Sequence, residues 1–133
     1  MRHYTRKEFD ALPVVDGRKQ CPTGDYSAIR NFPDKCSFGE GCSFGEGCAF
    51  EKGRKPRNWR RPFVTVGGIG SAGRTVYVFD FEDGLMIRAG CFFGDEEELL
   101  ERLKYDEDPH KERVYLAAVE LAKLQFQSEG SAQ

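Results

Sequence analysis

Cys36-Ser37-Phe38-Gly39-Glu40-Gly41 runs directly into Cys42-Ser43-Phe44-Gly45-Glu46-Gly47, and Cys48-Ala49-Phe50 begins a third copy. A six-residue period of this kind marks a structural repeat rather than chance composition. Six residues match one face of a parallel β-helix coil: the aromatic and the Cys four places on face inward, Glu faces solvent, and the glycines serve the corners. Phe32-Pro33-Asp34-Lys35-Cys36-Ser37 reads as a degenerate earlier copy, so faces starting at Phe32, Phe38 and Phe44 are expected to close about one coil over 32–51. A lone coil leaves two open ends, which the rest of the chain or a second copy must cover.

Working outward, Thr5-Arg6-Lys7-Glu8 reads as a capping box that starts a short helix, stopped by Leu12-Pro13. Residues 1–31 are therefore expected to be an N-terminal capping helix and loop, followed by the repeat coil over 32–51 and a basic linker over 52–61. Beyond it, Phe63-Val64-Thr65-Val66 and Thr75 to Phe81 alternate as strands, with Tyr77, Phe79 and Phe81 on one face. Asp83-Gly84 is a hairpin signal, and Leu85 to Cys91 returns antiparallel. Asp95 with Glu98 caps a helix to about Lys104, and Asp108-Pro109 opens another to about Gln127, with an apolar stripe of Val114, Ala117, Ala118, Leu121 and Leu124. The expected fold class is α+β: a short hexapeptide β-helix-like coil joined to a small antiparallel β-meander packed against two C-terminal helices over 62–127, with a disordered tail over 128–133.

Composition narrows the function classes. At 133 residues, 39% hydrophobic and 32% charged, the chain suits a soluble globular domain. No apolar run reaches membrane-spanning length and the charged N-terminus lacks a signal-peptide core, so a cytoplasmic setting is expected. Five cysteines, three of them in the repeat, make a poor disulfide framework and imply reduced thiols. The net charge of -2 conceals segregation: Lys52, Arg54, Lys55, Arg57, Arg60 and Arg61 form a run without an acid, whereas Asp95, Glu96, Glu97, Glu98 and Glu101 cluster later.

Cys36, Cys42 and Cys48 recur at a spacing that suits a soft metal inside a coil, but free Cys also fills small core positions, and packing is the simpler reading. No cofactor or metal is expected. Gly68-Ile69-Gly70-Ser71-Ala72-Gly73 has the dinucleotide-fingerprint spacing, yet a strand follows it instead of a helix, so it reads as a hairpin turn with Arg74 adjacent. Neither His3 nor His110 sits in a catalytic motif, and no catalytic residues are assigned. The basic run offers cations beside the single Trp, a chemistry suited to phosphates and bases. Arg54, Arg57, Trp59, Arg60 and Arg61, with Arg74 and Arg88 as sheet-side additions, are the candidate ligand-binding residues.

The tandem hexapeptides follow Gln20-Cys21-Pro22-Thr23-Gly24-Asp25-Tyr26 and precede Ile69-Gly70-Ser71, Glu82-Asp83-Gly84, Gly90-Cys91-Phe92-Phe93-Gly94 and Tyr115-Leu116-Ala117-Ala118. Together these motifs resemble a group of small phage and prophage proteins over nearly the whole chain. The resemblance implies a phage origin and a bacterial host, and with no plausible catalytic base in the sequence the expected role is a non-enzymatic binding protein in the host cytoplasm, interfering with a host defence process. It would act by sequestering an anionic ligand such as a nucleotide or by blocking a nucleic-acid-binding protein, and the expected partner of its basic segment is an anionic ligand, a nucleotide or nucleic acid, or an acidic protein surface. The repeat alone is similar to that of hexapeptide acyltransferases, which stack several coils and use a boundary His, so an acyltransferase-like enzyme is the alternative. A structural assembly module is a further one. Sheet edges and coil ends also predict a homo-oligomer.

Overall fold

Thr5 and Glu8 satisfy each other's backbone donors, the Glu8 amide donating to Thr5 Oγ1 at 3.2 Å and the Thr5 amide to Glu8 Oε1 at 3.0 Å, and this box starts helix α1 (Arg6–Asp10). In the computed structural model, which describes residues 1–69 and 74–127, α1 opens the first of two compact units, Met1–Arg60 and Arg61–Gln133. The tail over 128–133 and the part of the glycine-rich turn over 70–73 lie outside the described residues.

The first unit continues through β1 (Val14–Val15), β2 (Arg18–Cys21), β3 (Asp25–Tyr26), β4 (Cys36–Phe38) and β5 (Ser43–Phe44). Lys19 closes the helix: its Nζ donates to the Phe9 carbonyl at 3.0 Å and to that of Leu12 at 3.3 Å, satisfying acceptors left at the α1 C-terminus. The expected coil over 32–51 does not form. The described strands make three separate sheets of mixed direction, ordered β1-β2-β4, β3-β5 and a four-stranded one in the second unit, and none closes on itself. The reason is that the repeat strands find partners upstream. Cys36 to Phe38 pair in parallel with Lys19 to Cys21, while Ser43 and Phe44 pair in parallel with Asp25 and Tyr26. The third copy forms no strand and pairs with the upstream chain through the parallel bridge between Asn31 and Ala49. The antiparallel β1 then mixes the directions of the first sheet. A hexapeptide β-helix is not the architecture of this protein.

The period survives in the backbone. Lys35, Gly41, Gly47 and Gly53, six residues apart, all adopt left-handed φ values of 62°, 73°, 84° and 78°. The other repeat glycine has a different task. A Cβ on Gly39 would lie 2.5 Å from Thr23 Oγ1, and one on Gly45 would lie 2.5 Å from the Ser27 carbonyl, so these two permit close approach to the upstream chain. Glu40 and Glu46 are exposed, and Phe32, Phe44 and Phe50 are buried, with Phe38 half-buried. Their rings pack edge to face around one another: Phe38 on Phe44 at 5.2 Å, Phe32 on Phe38 at 5.4 Å and Phe9 on Phe32 at 5.4 Å. Tyr4 stacks on Tyr26 at 4.8 Å, and the Tyr26 hydroxyl donates to the Pro22 carbonyl.

The second unit is a meander of β6 (Phe63–Ile69), β7 (Arg74–Phe81), β8 (Gly84–Ala89) and β9 (Phe92–Gly94), all antiparallel, with helices α2 (Glu96–Leu103) and α3 (Pro109–Phe126). Asp95 and Glu98 form a second capping box, and Asp108 caps α3 before Pro109. Helix α3 packs on β6 and β7, and α2 on β8 and β9. Alternation divides the sheet. Val64, Val76, Val78, Ile87 and Ala89 enter the core with Leu99, Leu103, Tyr115, Val119 and Phe126. Tyr77, Phe79 and Phe81 share the opposite face, Phe79 stacking on Phe81 at 4.9 Å. The α3 stripe differs from the sequence expectation: Tyr115, Ala118, Val119, Ala122 and Phe126 are buried, whereas Leu121 and Leu124 are 48% and 61% exposed. The two large rings win the core position because they bury more apolar area than the leucines they displace.

Candidate functional site

Strand parity places Arg74, two residues before Val76, on the helix side of the second unit's sheet, at the end where β7 begins and β8 finishes. Gly90, with φ 61°, turns β8 towards β9, and the Arg74 guanidinium occupies the space its missing side chain leaves, since a Cβ there would fall on Nη1. Arg102 reaches the same place from the last turn of α2, and Lys111 from the start of α3. These three cations line one cavity of about 190 Å³. Its apolar wall is Ala89, Phe92, Leu99, Leu103 and Tyr115, and the free, exposed thiol of Cys91 stands at its edge.

The charges are unequally committed. Lys111 pairs with Asp106 at 2.7 Å, and that bond holds the Asp106 carboxyl below its ordinary range. Neither Arg74 nor Arg102 forms an ion pair with a described carboxylate. Arg74 and Arg102 are exposed and Lys111 is half-buried, so the cavity rim carries an excess of positive charge beside an apolar wall, the chemistry that suits an anion.

The candidate residues named from sequence fall into separate settings. Arg54, Arg57, Trp59 and Arg60 belong to the first unit, and Arg61, Arg74 and Arg88 to the second. The start of the basic run is a hairpin, because Phe50 and Arg54 exchange backbone hydrogen bonds of 2.8 and 2.7 Å, and the Lys52 amide donates to Asp34 Oδ1 at 2.7 Å. Arg57 is exposed, and Arg60 lies over the half-buried Trp59 ring at 4.3 Å, a cation–π pair. The Arg60 amide also donates to Asn58 Oδ1 at 3.0 Å, fixing that turn. Arg88 is only 6% exposed and sits on the aromatic face, 4.2 Å from the Tyr77 ring centre and 5.7 Å from that of Phe79. Arg74 and Arg88 therefore leave the sheet on opposite faces and do not join one surface. Arg61 is half-buried.

Sequence reasoning missed Arg102, Lys111 and Tyr115, which share the cavity with Arg74. No signal in the sequence links them, because they lie on separate elements that only packing brings together. Two other constellations were weighed. His3 Nδ1 lies 3.1 Å from Asp25 Oδ2 on the surface, and no described hydroxyl or thiol bonds to its other nitrogen, so the pair lacks a nucleophile. Cys36 and Cys48 are buried and Cys42 half-buried, and no group of His, Cys, Asp and Glu among the described residues is placed to hold a metal ion. No described helix is long and apolar enough to cross a membrane. The chain matches no protein-family model, no curated protein and no solved structure, which leaves side-chain geometry as the ground for a functional reading.

Proposed function

We propose that this chain is a non-enzymatic binding protein for a small anion, which it holds at the cavity of Arg74, Arg102 and Lys111. The observation that carries the reading is the meeting of three cations from three separate elements at one cavity, two of them without a carboxylate partner among the described residues. Guanidinium forks suit the oxygens of a phosphate or carboxylate, and a concave apolar wall with a few convergent polar groups is the usual form of a ligand site. In the setting implied by the phage resemblance, such binding would sequester an anionic ligand that a host defence process needs. Calorimetry with inorganic phosphate and AMP tests it. Binding is expected to weaken with added salt and to disappear in the Arg74→Gln/Arg102→Gln variant; affinity unchanged in that variant removes the site.

The stacked Trp59–Arg60 pair with exposed Arg57 favours a second reading, a surface for nucleic acid or an acidic protein patch. Charge reversal at Arg57, Arg60 and Arg61 would then abolish quenching of Trp59 fluorescence by a single-stranded oligonucleotide. Self-association belongs to the proposal too, since Leu121 and Leu124 leave apolar area exposed on α3. Light scattering that finds a monomer throughout the micromolar range would remove it.

A further inference from the structure

We infer that the cavity takes a compact amphiphilic oxyanion, one phosphate or carboxylate group on a short apolar or aromatic body, in preference to a nucleotide. This rests on the anion-binding reading above and adds the ligand's size and second half. The cavity is divided chemically: Arg74 and Arg102 supply planar forked donors, while Leu99, Leu103, Phe92 and Tyr115 supply an apolar wall with no charge on it. Leu99, Leu103 and Tyr115 are already buried, and a bare inorganic anion would leave the half-buried Phe92 ring beside them uncovered. The cavity, at about 190 Å³, falls below the ~300 Å³ at which pockets for drug-sized ligands begin. A phosphate on one small ring is closer to that size than a phosphate, ribose and base together. Lys111, already bound to Asp106, contributes long-range attraction more than a contact.

Cys91 provides a reporter of occupancy, because it is exposed at this cavity while Cys21, Cys36 and Cys48 are buried and Cys42 is half-buried. The experiment compares inorganic phosphate, phenyl phosphate, benzoate and AMP by calorimetry on the full chain, alongside the rate at which a neutral maleimide alkylates Cys91, read by peptide mass. Phenyl phosphate is expected to bind about tenfold or more tighter than inorganic phosphate, from burial of its ring. AMP is expected to bind no tighter than inorganic phosphate. Saturating phenyl phosphate is expected to slow Cys91 alkylation, and the slowing is expected to vanish in Arg74→Gln/Arg102→Gln. If phosphate binds in an arginine-dependent way but the phenyl group adds nothing, or AMP binds tightest, the ligand class is wrong and the anion site stands. If no probe binds or protects Cys91, the site itself fails.

Discussion

The two units of this chain are held together in different ways. In the first, no strand exceeds four residues, and the core is a set of aromatic rings gathered by a backbone that turns left-handed every sixth residue. In the second, three strands of six to eight residues and a three-residue fourth form one antiparallel ladder, with a single register shift between Val66 and Ile69, and an aliphatic layer packs under two helices. Short strands contribute few ladder bonds, so the first unit depends on ring packing and on glycines that allow close approach. The second distributes its stability over many equivalent side chains. Sensitivity to substitution should follow that division, concentrated at rings and glycines in one unit and spread over aliphatics in the other.

The severest test is Phe32→Ala. Phe32 is buried and touches Phe9, Tyr26, Phe38, Phe44 and Phe50, stacking on the last at 4.8 Å. Its truncation is expected to cost about 3–5 kcal/mol in chemical denaturation followed by Trp59 fluorescence. A single-methylene loss in the other unit, Ile87→Val, is expected to cost about 0.5–1.5 kcal/mol by helix ellipticity. A Phe32→Ala cost under about 1 kcal/mol would show that the rings are not the first unit's core.

The glycines sharpen the comparison between two successive repeats. Gly45→Ala would bring a Cβ to 2.5 Å from the Ser27 carbonyl, a backbone atom that cannot swing away, and is expected to cost about 1–3 kcal/mol as an overpacked contact. Gly41→Ala has open space around it and bears only the left-handed strain, about 1–2 kcal/mol. Gly41→Asn should recover most of that loss, because Asn tolerates the conformation, whereas Gly45→Asn should be worse than Gly45→Ala. Equal responses at the two positions would mean that the close approach to Ser27 does not exist.

Alkaline titration disturbs the first unit without changing its sequence. Burial pushes the Cys48 thiol up to about 11 and the Tyr26 phenol well above its usual range; a hydrogen bond with Cys36, and then burial, raise Cys21. Each folded pKa lies above its unfolded value, near 9 for the thiols and near 10 for the phenol, so the associated stability is complete below the unfolded value and is lost as pH rises through the folded one. The Trp59-monitored midpoint in denaturant is therefore expected to fall between about pH 9 and 11 for the Cys48 contribution, and Cys48→Ala should flatten part of that fall. No slope in this window would contradict a buried thiol.

What was legible in the sequence was local. The boxes at Thr5–Glu8 and Asp95–Glu98, the Asp108-Pro109 start and the Asp83-Gly84 hairpin each depend on residues within a few places of one another, and each gives the element it signals. The six-residue period was visible too, but its partner was not. Arg18 to Cys21 carries no alternation that marks a strand, and it meets Cys36 to Phe38 across a separation of about seventeen residues, a non-local pairing that no short window reveals. On α3, Ala and Leu recur on more than one side, so sequence periodicity could not choose between leucines and rings. The cavity was illegible for the same reason: Arg74, Arg102 and Lys111 lie on three elements, and only the packed unit brings them together.

The smallest change in structure tests the cavity most directly. Gly90 adopts φ 61° and its Cα faces the Arg74 guanidinium, so Gly90→Ala adds mild left-handed strain and drives the flexible end of Arg74 out of its place. The strain should cost about 1–2 kcal/mol of stability, and the displacement should weaken phosphate binding about tenfold, because a charge-assisted hydrogen bond loses its geometry. Gly84→Ala is the control: that residue also has a positive φ, 130°, at the far end of β8, but nothing lies within 4 Å of its added Cβ. It should lower stability and leave phosphate affinity unchanged. The pair separates loss of fold from loss of site, since only Gly90 shares space with Arg74. If both variants bind phosphate equally, Arg74 is not held by that turn, and the second unit's regular ladder carries no anion site at its β8–β9 end.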